Sequence, residues 1–250
     1  MSKKTKAEER AAKAAAALAE RKRRERRRNI LTVTGVVLVI VLIVGIGFLI
    51  NQSRDEEADK TVGTATSYEY DVSIGDPDAP HEIIIYEDFL CPVCQALEEA
   101  SRDKLAQAAE DGDVYVSYRP FNLFADDNDP RKSYSVESAA AFAVVLEESG
   151  PEVAKRFHDL LFEADNQPSE AGPFPDADWF VDLAVEAGAD EADVREGIES
   201  GAGEDWVAEA TDLASEKGIN STPTIYLDGE QYREGRTFEE LADNLVAAVS

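Results

Sequence analysis

The sequence predicts an α/β domain with an inserted helical subdomain, preceded by one transmembrane helix. Three observations lead to this prediction. From residue 67 onward, short β-branched runs alternate with segments of helical periodicity. A long stretch of helical pattern, over about residues 133–217, separates these segments into two halves. A run of 21 residues without charge, residues 30–50, lies on their N-terminal side.

Charge is distributed unevenly along the chain. Residues 1–28 contain 12 Lys/Arg and 4 Asp/Glu, whereas residues 29–250 contain 13 Lys/Arg and 48 Asp/Glu. An acidic body repels the phosphates of nucleic acids, so we expect no nucleic-acid partner. The acidic surface is most simply explained by solubility, and it does not indicate an acidic substrate or a metal.

The uncharged run 30–50 has the length of a membrane anchor. At about 1.5 Å per helical residue it extends about 31 Å, close to the hydrocarbon thickness of a bilayer. A cleaved signal peptide is the alternative, but its apolar region is usually shorter and ends in small residues. Here the run ends Phe48-Leu49-Ile50-Asn51. We therefore expect an uncleaved anchor, with the lipid bilayer as its partner.

The flanks of this run predict its orientation. Residues 1–29 form a basic head, and residues 51–66 form a polar, acidic linker. The positive-inside rule places the head in the cytoplasm and the domain 67–250 outside the cell membrane. A basic tract can also bind nucleic acid or direct targeting, but its position beside the apolar run favours a topology signal.

The first half of the domain reads β-β-α-β. An alternating strand covers 68–72, and Gly and Pro residues form a turn over 75–80. The β-branched run 82–86 predicts a buried central strand. A helix is expected over 95–109 and a strand over 114–118, which Pro120 stops.

The second half consists of the helical insertion followed by a β-β-α unit. Helices are expected over 135–148, 152–164, 178–187, 192–200 and 204–217, with a Pro- and Gly-rich loop over 166–175. A strand over 224–227, a turn at Asp228-Gly229, a strand over 231–233 and a helix over 238–249 complete the domain.

Cys91 and Cys94 are the only cysteines in the chain, and they follow the predicted central strand. A structural zinc site needs four ligands, and the only histidines, His81 and His158, show no ligand spacing to the cysteines. An inert disulfide between these residues would close almost no loop and stabilise little. A Cys-x-x-Cys pair at a strand-to-helix junction therefore favours thiol–disulfide redox chemistry without metal or cofactor.

Three motifs together resemble the DsbA-like branch of the thioredoxin superfamily. They are Tyr86-Glu87-Asp88-Phe89-Leu90-Cys91-Pro92-Val93-Cys94, then Phe157-His158-Asp159-Leu160-Leu161-Phe162, and finally Gly218-Ile219-Asn220-Ser221-Thr222-Pro223-Thr224. They fall in the family's order. The resemblance covers about residues 68–249 and implies a thioredoxin-like fold that exchanges disulfides with other proteins.

The resemblance also implies roles for individual residues. Cys91 would be the attacking, exposed sulfur, with its pKa lowered by the helix N-terminus, and Cys94 would resolve the mixed disulfide. Pro92 and Val93 would tune the redox potential. Strongly oxidising members carry His at the position of Val93, so we expect a less oxidising pair here.

Thr222 and Pro223 match the loop that faces the cysteines in this family. A cis Thr222–Pro223 bond would free the Thr222 backbone to pair with an extended substrate strand. The alternative is an ordinary trans proline at a strand edge.

The sequence departs from the family pattern at the buried acid. Family members often have it six residues before the first cysteine, where Ile85 stands here. Glu87 or Asp88 could serve as a proton relay instead, or both could be turn residues. His158 is expected to be a helix-packing residue. Four aromatic residues could line a groove, although such residues usually belong to the core: Phe121, Phe124, Phe174 and Trp179.

These observations predict an extracytoplasmic thiol–disulfide oxidoreductase that acts on cysteine-containing secreted or membrane proteins. An oxidase, reset by a quinone-linked membrane partner, suits the compartment, because disulfides persist outside the cytoplasm. A reductase or isomerase of the same fold is the alternative. A non-catalytic binding module that uses its acidic surface is a third.

Overall fold

The computed structural model describes residues 70–124, 129 and 131–250. The predicted head, anchor and linker, residues 1–66, lie outside these residues. Within the described residues, no helix has both the length and the apolar character needed to cross a membrane.

A five-stranded mixed sheet forms the centre of the domain. Its strands are β1 (Val72–Ile74), β2 (His81–Glu87), β3 (Val114–Pro120), β4 (Thr224–Leu227) and β5 (Glu230–Tyr232), in the order β1-β3-β2-β4-β5. β2 and β3 are parallel, and the other neighbours are antiparallel. β2 lies in the middle of the sheet, and its run of three isoleucines is fully buried, as a strand covered on both faces requires.

Seven helices surround or extend this sheet among the described residues. They are α1 (Pro92–Glu110), α2 (Arg131–Ser149), α3 (Pro151–Leu161), α4 (Ala177–Ala187), α5 (Glu191–Ser200), α6 (Glu204–Glu216) and α7 (Phe238–Val249). α1 packs against α7, while α2 to α6 pack mainly against one another and form the insertion. The predicted thioredoxin-like order with a helical insertion is therefore confirmed.

Several element boundaries differ from the predictions by a few residues. The first described strand is Val72–Ile74, which pairs with β3 and ends two residues beyond the predicted end at residue 72; residues 68 and 69 of the predicted strand lie outside the described residues. β3 continues through Pro120, which lies beyond the residues that pair with β1 and opposite Glu87 of β2. α3 ends at Leu161 and not at residue 164.

α3 brings one amphipathic face of the insertion against the sheet domain. Gly150 precedes the helix with a positive φ of 80°, and Pro151 occupies its first turn, where a missing N–H costs nothing. Its buried residues are Ala154, Phe157, His158 and Leu161, which recur at helical spacing. This register points His158 at the C-terminal end of β2.

Candidate active site

The two cysteines lie where β2 gives way to α1. Cys91 is the N-cap of α1 with an extended backbone, and Pro92 starts the helix. The turn before it is held by the Cys91 N–H, which donates to the Asp88 carbonyl at 2.9 Å. Cys91 thus sits at the unpaired N–H groups of a 19-residue helix, where a thiolate is stabilised.

The environments of the two sulfurs differ. Neither cysteine is in a disulfide, and their exposed fractions are 7% for Cys91 and 0% for Cys94. Cys91 is thus far less exposed than predicted, although it is the more accessible of the two. The hydrogen bond from the Cys94 thiol is the main cause that lowers the pKa of Cys91 to about 6. Burial raises the pKa of Cys94 well above its ordinary value.

The loop before β4 forms the opposite wall of the site. The Thr222–Pro223 bond is cis, as predicted, and the Cys91 thiol donates to the Thr222 carbonyl over 3.6 Å. The Thr222 hydroxyl is buried, has no other partner among the described residues, and also lowers the pKa of Cys91. This places the loop in contact with the reactive sulfur.

Pro92 and Val93 form the outer surface of the site. Both side chains are exposed, and Val93 is one of the two large hydrophobic residues that the described part of the chain exposes most, at 44%. The surface beside Cys91 is therefore formed by two apolar side chains.

Asp88 is a buried turn residue whose two oxygens are occupied. One accepts from the Leu90 N–H at 2.8 Å, and the other accepts from the Leu123 N–H at 2.8 Å and from the Ser135 hydroxyl. Burial raises its pKa to about 6. These bonds join the redox loop to the segment after β3 and to α2.

Glu87 is fully buried and differs from Asp88 in its bonding. Its Oε2 lies 2.9 Å from His158 Nε2, while its Oε1 has no hydrogen-bond partner among the described residues. Burial, reinforced by the Glu98 charge, raises the pKa of Glu87 to about 8. The pKa of Cys94 is raised by burial and, to a lesser degree, by the charge of Glu87.

His158 has a second role besides the helix packing that the sequence suggested. Its ring lies among the rings of Phe89, Phe142, Phe162 and Tyr118. Its Nδ1 also lies 3.0 Å from Asp159 Oδ1. Burial and the charge of Lys155 act to lower the pKa of His158, but its bonds to Asp159 and Glu87 outweigh them, so the pKa is raised. Histidine on the buried face of α3 was the only sequence signal for this role.

Further charged groups surround Glu87 and His158. A carboxylate oxygen of Glu98, a ring nitrogen of His158 and a carboxylate oxygen of Asp159 all lie within 4.8 Å of one another. Arg102 Nε lies 3.5 Å from Glu98 and 3.3 Å from Asp159, and Lys155 forms an ion pair with Asp159. Arg102 and Lys155 are therefore the cations that face these carboxylates.

Gln167 links the insertion to the redox loop and was not noted from the sequence. Its side-chain amide donates to the Phe89 carbonyl at 2.8 Å and to the Cys91 carbonyl at 3.2 Å. The Cys91 carbonyl also accepts the first bond of α1, from Gln95. The amide therefore holds the backbone on both sides of the reactive turn.

The aromatic residues that could have lined a groove pack in the hydrophobic cores. Phe121 is 4% exposed and meets the Tyr86 ring edge-on, and Phe174 stacks on Tyr134. Phe124 and Trp179 are partly buried against the main core. We therefore assign them to packing.

A family model and several solved structures resemble this chain. A family model described as Thioredoxin matches residues 67–246. DsbG of Mycobacterium tuberculosis, a disulfide bond oxidoreductase, superposes with a TM-score of 0.60 and 28% identity over 77% of this chain and 98% of its own. Reduced DsbA of the same organism gives a TM-score of 0.58 and 26% identity, over 72% of this chain and 100% of its own.

A sequence relative lies within a larger protein. The serine/threonine-protein kinase PknE of Mycobacterium tuberculosis is 27% identical over 160 residues, which are 62% of this chain. The chain spans only 28% of the length of that kinase. Since the Thioredoxin model covers most of the chain, and the fold and the paired cysteines agree with it, this protein belongs to the thioredoxin family.

Proposed function

We propose that this protein is a thiol–disulfide oxidoreductase that exchanges disulfides with cysteine-containing proteins through Cys91 and Cys94. The observation that carries the proposal is the contrast between the two sulfurs. Cys91 faces the cis-proline loop with a lowered pKa, whereas Cys94 is buried with a raised one. Cys91 thiolate would attack or be attacked, and Cys94 would resolve the mixed disulfide. The likeness to DsbA and DsbG of Mycobacterium tuberculosis supports this chemistry.

The direction we propose is oxidation of protein thiols. A Cys91 pKa of about 6 instead of about 8.5 stabilises the reduced form at pH 7 by about 1.4 kcal/mol, or about 30 mV of potential. A stabilised reduced form makes the disulfide a better oxidant. Val93 in place of the family's His acts the other way, so we expect a moderate oxidant.

The compartment we propose is the outer face of the cell membrane. The support is the apolar run 30–50 with its basic N-terminal flank. A membrane protein linked to quinones would reoxidise Cys91 and Cys94, and secreted or membrane proteins would be the substrates.

The test uses the full chain in membranes and the purified protein. Purified wild-type protein should form disulfides in a reduced, unfolded substrate protein, and Cys91→Ser should not. In intact cells, a membrane-impermeant thiol reagent should label Cys91 after mild reduction, and without reduction the pair should be mostly disulfide. A mostly dithiol pair would instead indicate the reductase. No exchange with any dithiol substrate would contradict both enzyme functions and favour a binding module.

A further inference from the structure

The first turn of α1 begins without a side-chain cap. Its N-cap residue is Cys91, whose side chain makes no capping hydrogen bond, whereas α4, α5 and α7 each begin with a side-chain oxygen that accepts from their first turn. Such a cap occupies N–H groups at the start of a helix. In α1 the N–H groups of Val93 and Cys94 instead bond to the Cys91 sulfur and help to lower its pKa. The start of α1 must therefore be fixed by contacts that leave these N–H groups to the sulfur.

The side-chain amide of Gln167 contacts the carbonyl side of this turn. Its Nε2 donates to the Phe89 carbonyl at 2.8 Å and to the Cys91 carbonyl at 3.2 Å. An amide nitrogen has two N–H groups, so it can serve both carbonyls at once. The two bonds fix the backbone before and at the reactive residue, and they use none of the N–H groups of α1.

The amide is presented by an ordered turn at the end of α3. The Gln167 N–H and the Asn166 N–H both donate to the Glu163 carbonyl at 2.9 Å, and the Asn166 side chain donates to the Leu160 carbonyl at 2.9 Å. A group that is itself held by supporting hydrogen bonds can place its partner accurately. Gln167 therefore connects the end of α3 to the redox turn through a continuous set of hydrogen bonds.

Cys91 lies between Gln167 and the cis-proline loop. Its carbonyl accepts from Gln167, and its thiol donates to the Thr222 carbonyl over 3.6 Å. The donors that stabilise its thiolate are on α1 and on Thr222, so their distances to the sulfur depend on where the Cys91 backbone lies. A displacement of this backbone would weaken these bonds, because hydrogen bonds depend steeply on distance and angle.

We propose that Gln167 is a positioning residue for disulfide exchange at Cys91. Its amide holds the carbonyl side of the redox turn, so that the N–H groups of α1 and the Thr222 loop meet the Cys91 sulfur. The proposal rests on the proposed function, and it adds to it a residue of the helical insertion that acts through the backbone.

The exchange step that Gln167 supports involves one bond formed and one bond broken. The Cys91 thiolate attacks one sulfur of a disulfide, a bond from Cys91 to that sulfur forms, and the original sulfur–sulfur bond breaks. The departing sulfur leaves with the bonding electron pair and takes a proton from water. Cys91 is oxidised to a mixed disulfide, and the departing sulfur is reduced to a thiol.

The size of the effect follows from the bonds to the sulfur. Loss of one hydrogen bond to a charged group corresponds to a rise of about one to two pKa units. Without the Gln167 amide, the pKa of Cys91 should rise from about 6 to between about 7 and about 8. The reduced form would then be less stabilised, and at pH 7 the equilibrium constant for oxidation of glutathione should fall by about five- to tenfold.

The experiment compares two glutamines with the full-length protein. Gln167→Met keeps the length of the side chain and removes both donors, so it should show the predicted rise in pKa and the predicted fall in equilibrium constant. The pKa is read from the ultraviolet absorbance of the thiolate, and the equilibrium constant from the oxidised fraction in glutathione buffers. Gln107→Met is the matched control, because the Gln107 amide donates to Asp111 at 3.1 Å near the other end of α1. It should keep both wild-type values.

The outcomes distinguish the two proposals. A folded Gln167→Met variant with the wild-type pKa and equilibrium constant overturns the positioning role, even if its melting temperature falls. A shift of equal size in Gln107→Met also overturns it. Wild-type protein that exchanges with neither glutathione nor a reduced protein overturns the proposed function. If Gln167→Met does not fold, Gln167→Asn decides by the same two values, since its amide is one methylene too short to reach both carbonyls.

Discussion

Removing the Cys94 thiol should raise the pKa of Cys91, because the hydrogen bond from Cys94 is the largest cause of its low value. A hydrogen bond to a charged group contributes about 1.5–3 kcal/mol. At about 1.36 kcal/mol per pKa unit, the Cys94→Ala variant should move the pKa of Cys91 from about 6 to between about 7 and about 8. The ionised fraction at pH 7 would fall from about nine tenths to between about one half and about one tenth.

The Cys94→Ser variant is the matched control for this substitution. Its hydroxyl still donates a hydrogen bond, so the pKa of Cys91 should stay within about half a unit of the wild-type value. The assay is the ultraviolet absorbance of the thiolate as a function of pH, with Cys91→Ser as the blank. Equal pKa values near 6 in the Ala and Ser variants would refute the reasoning. The thiolate would then depend on the helix N-terminus and Thr222 alone.

Three further predictions concern stability. At pH values above about 8.5, the pKa of the unfolded thiol, the Cys91 thiolate should stabilise the reduced protein by about 3 kcal/mol. This stabilisation should be lost as the pH falls through about 6, the pKa in the folded protein. Denaturation of wild-type protein and Cys91→Ser across this range checks it, since only wild type should show that loss. Gln167→Ala should cost about 1–3 kcal/mol, because the Phe89 and Cys91 carbonyls lose their donor; an unchanged denaturation midpoint would contradict this. Gly203→Ala should cost more than about 3 kcal/mol, because its Cβ would lie 2.2 Å from the Ala140 carbonyl oxygen; a melting temperature within a few degrees of wild type would count against it.

The parts of the fold that depend on local pattern could be predicted from the sequence. α7 and β4 have the predicted bounds, 238–249 and 224–227, because caps and periodicity are properties of neighbouring residues. The end of β1 was misplaced, because the extent of an edge strand is set by its pairing with a partner strand. Val72 pairs with Tyr118, and nothing local to residues 68–72 specifies that register.

The residues of the candidate site also fall into two groups, those that a local motif identifies and those that only the folded structure brings together. Cys91, Cys94 and Pro223 could be recognised from motifs, since each motif is short and continuous. His158 could not be assigned beyond packing, because its partner Glu87 is 71 residues away and meets it only after the insertion folds against β2. Gln167 was missed for the same reason. Glu87 and Asp88 are adjacent and equally buried, and only the three-dimensional hydrogen bonds separate them.

The helical insertion supplies three side chains that hydrogen-bond to the redox loop, Gln167, His158 and Ser135. The environment of the motif Cys91-Pro92-Val93-Cys94 therefore depends on residues that lie outside the motif. Grafting the motif alone onto another scaffold would transfer the sulfurs and leave behind the amide that holds the loop and the imidazole beneath it. An engineered change of insertion would alter the chemistry of the cysteines even if every residue between Glu87 and Cys94 stayed the same.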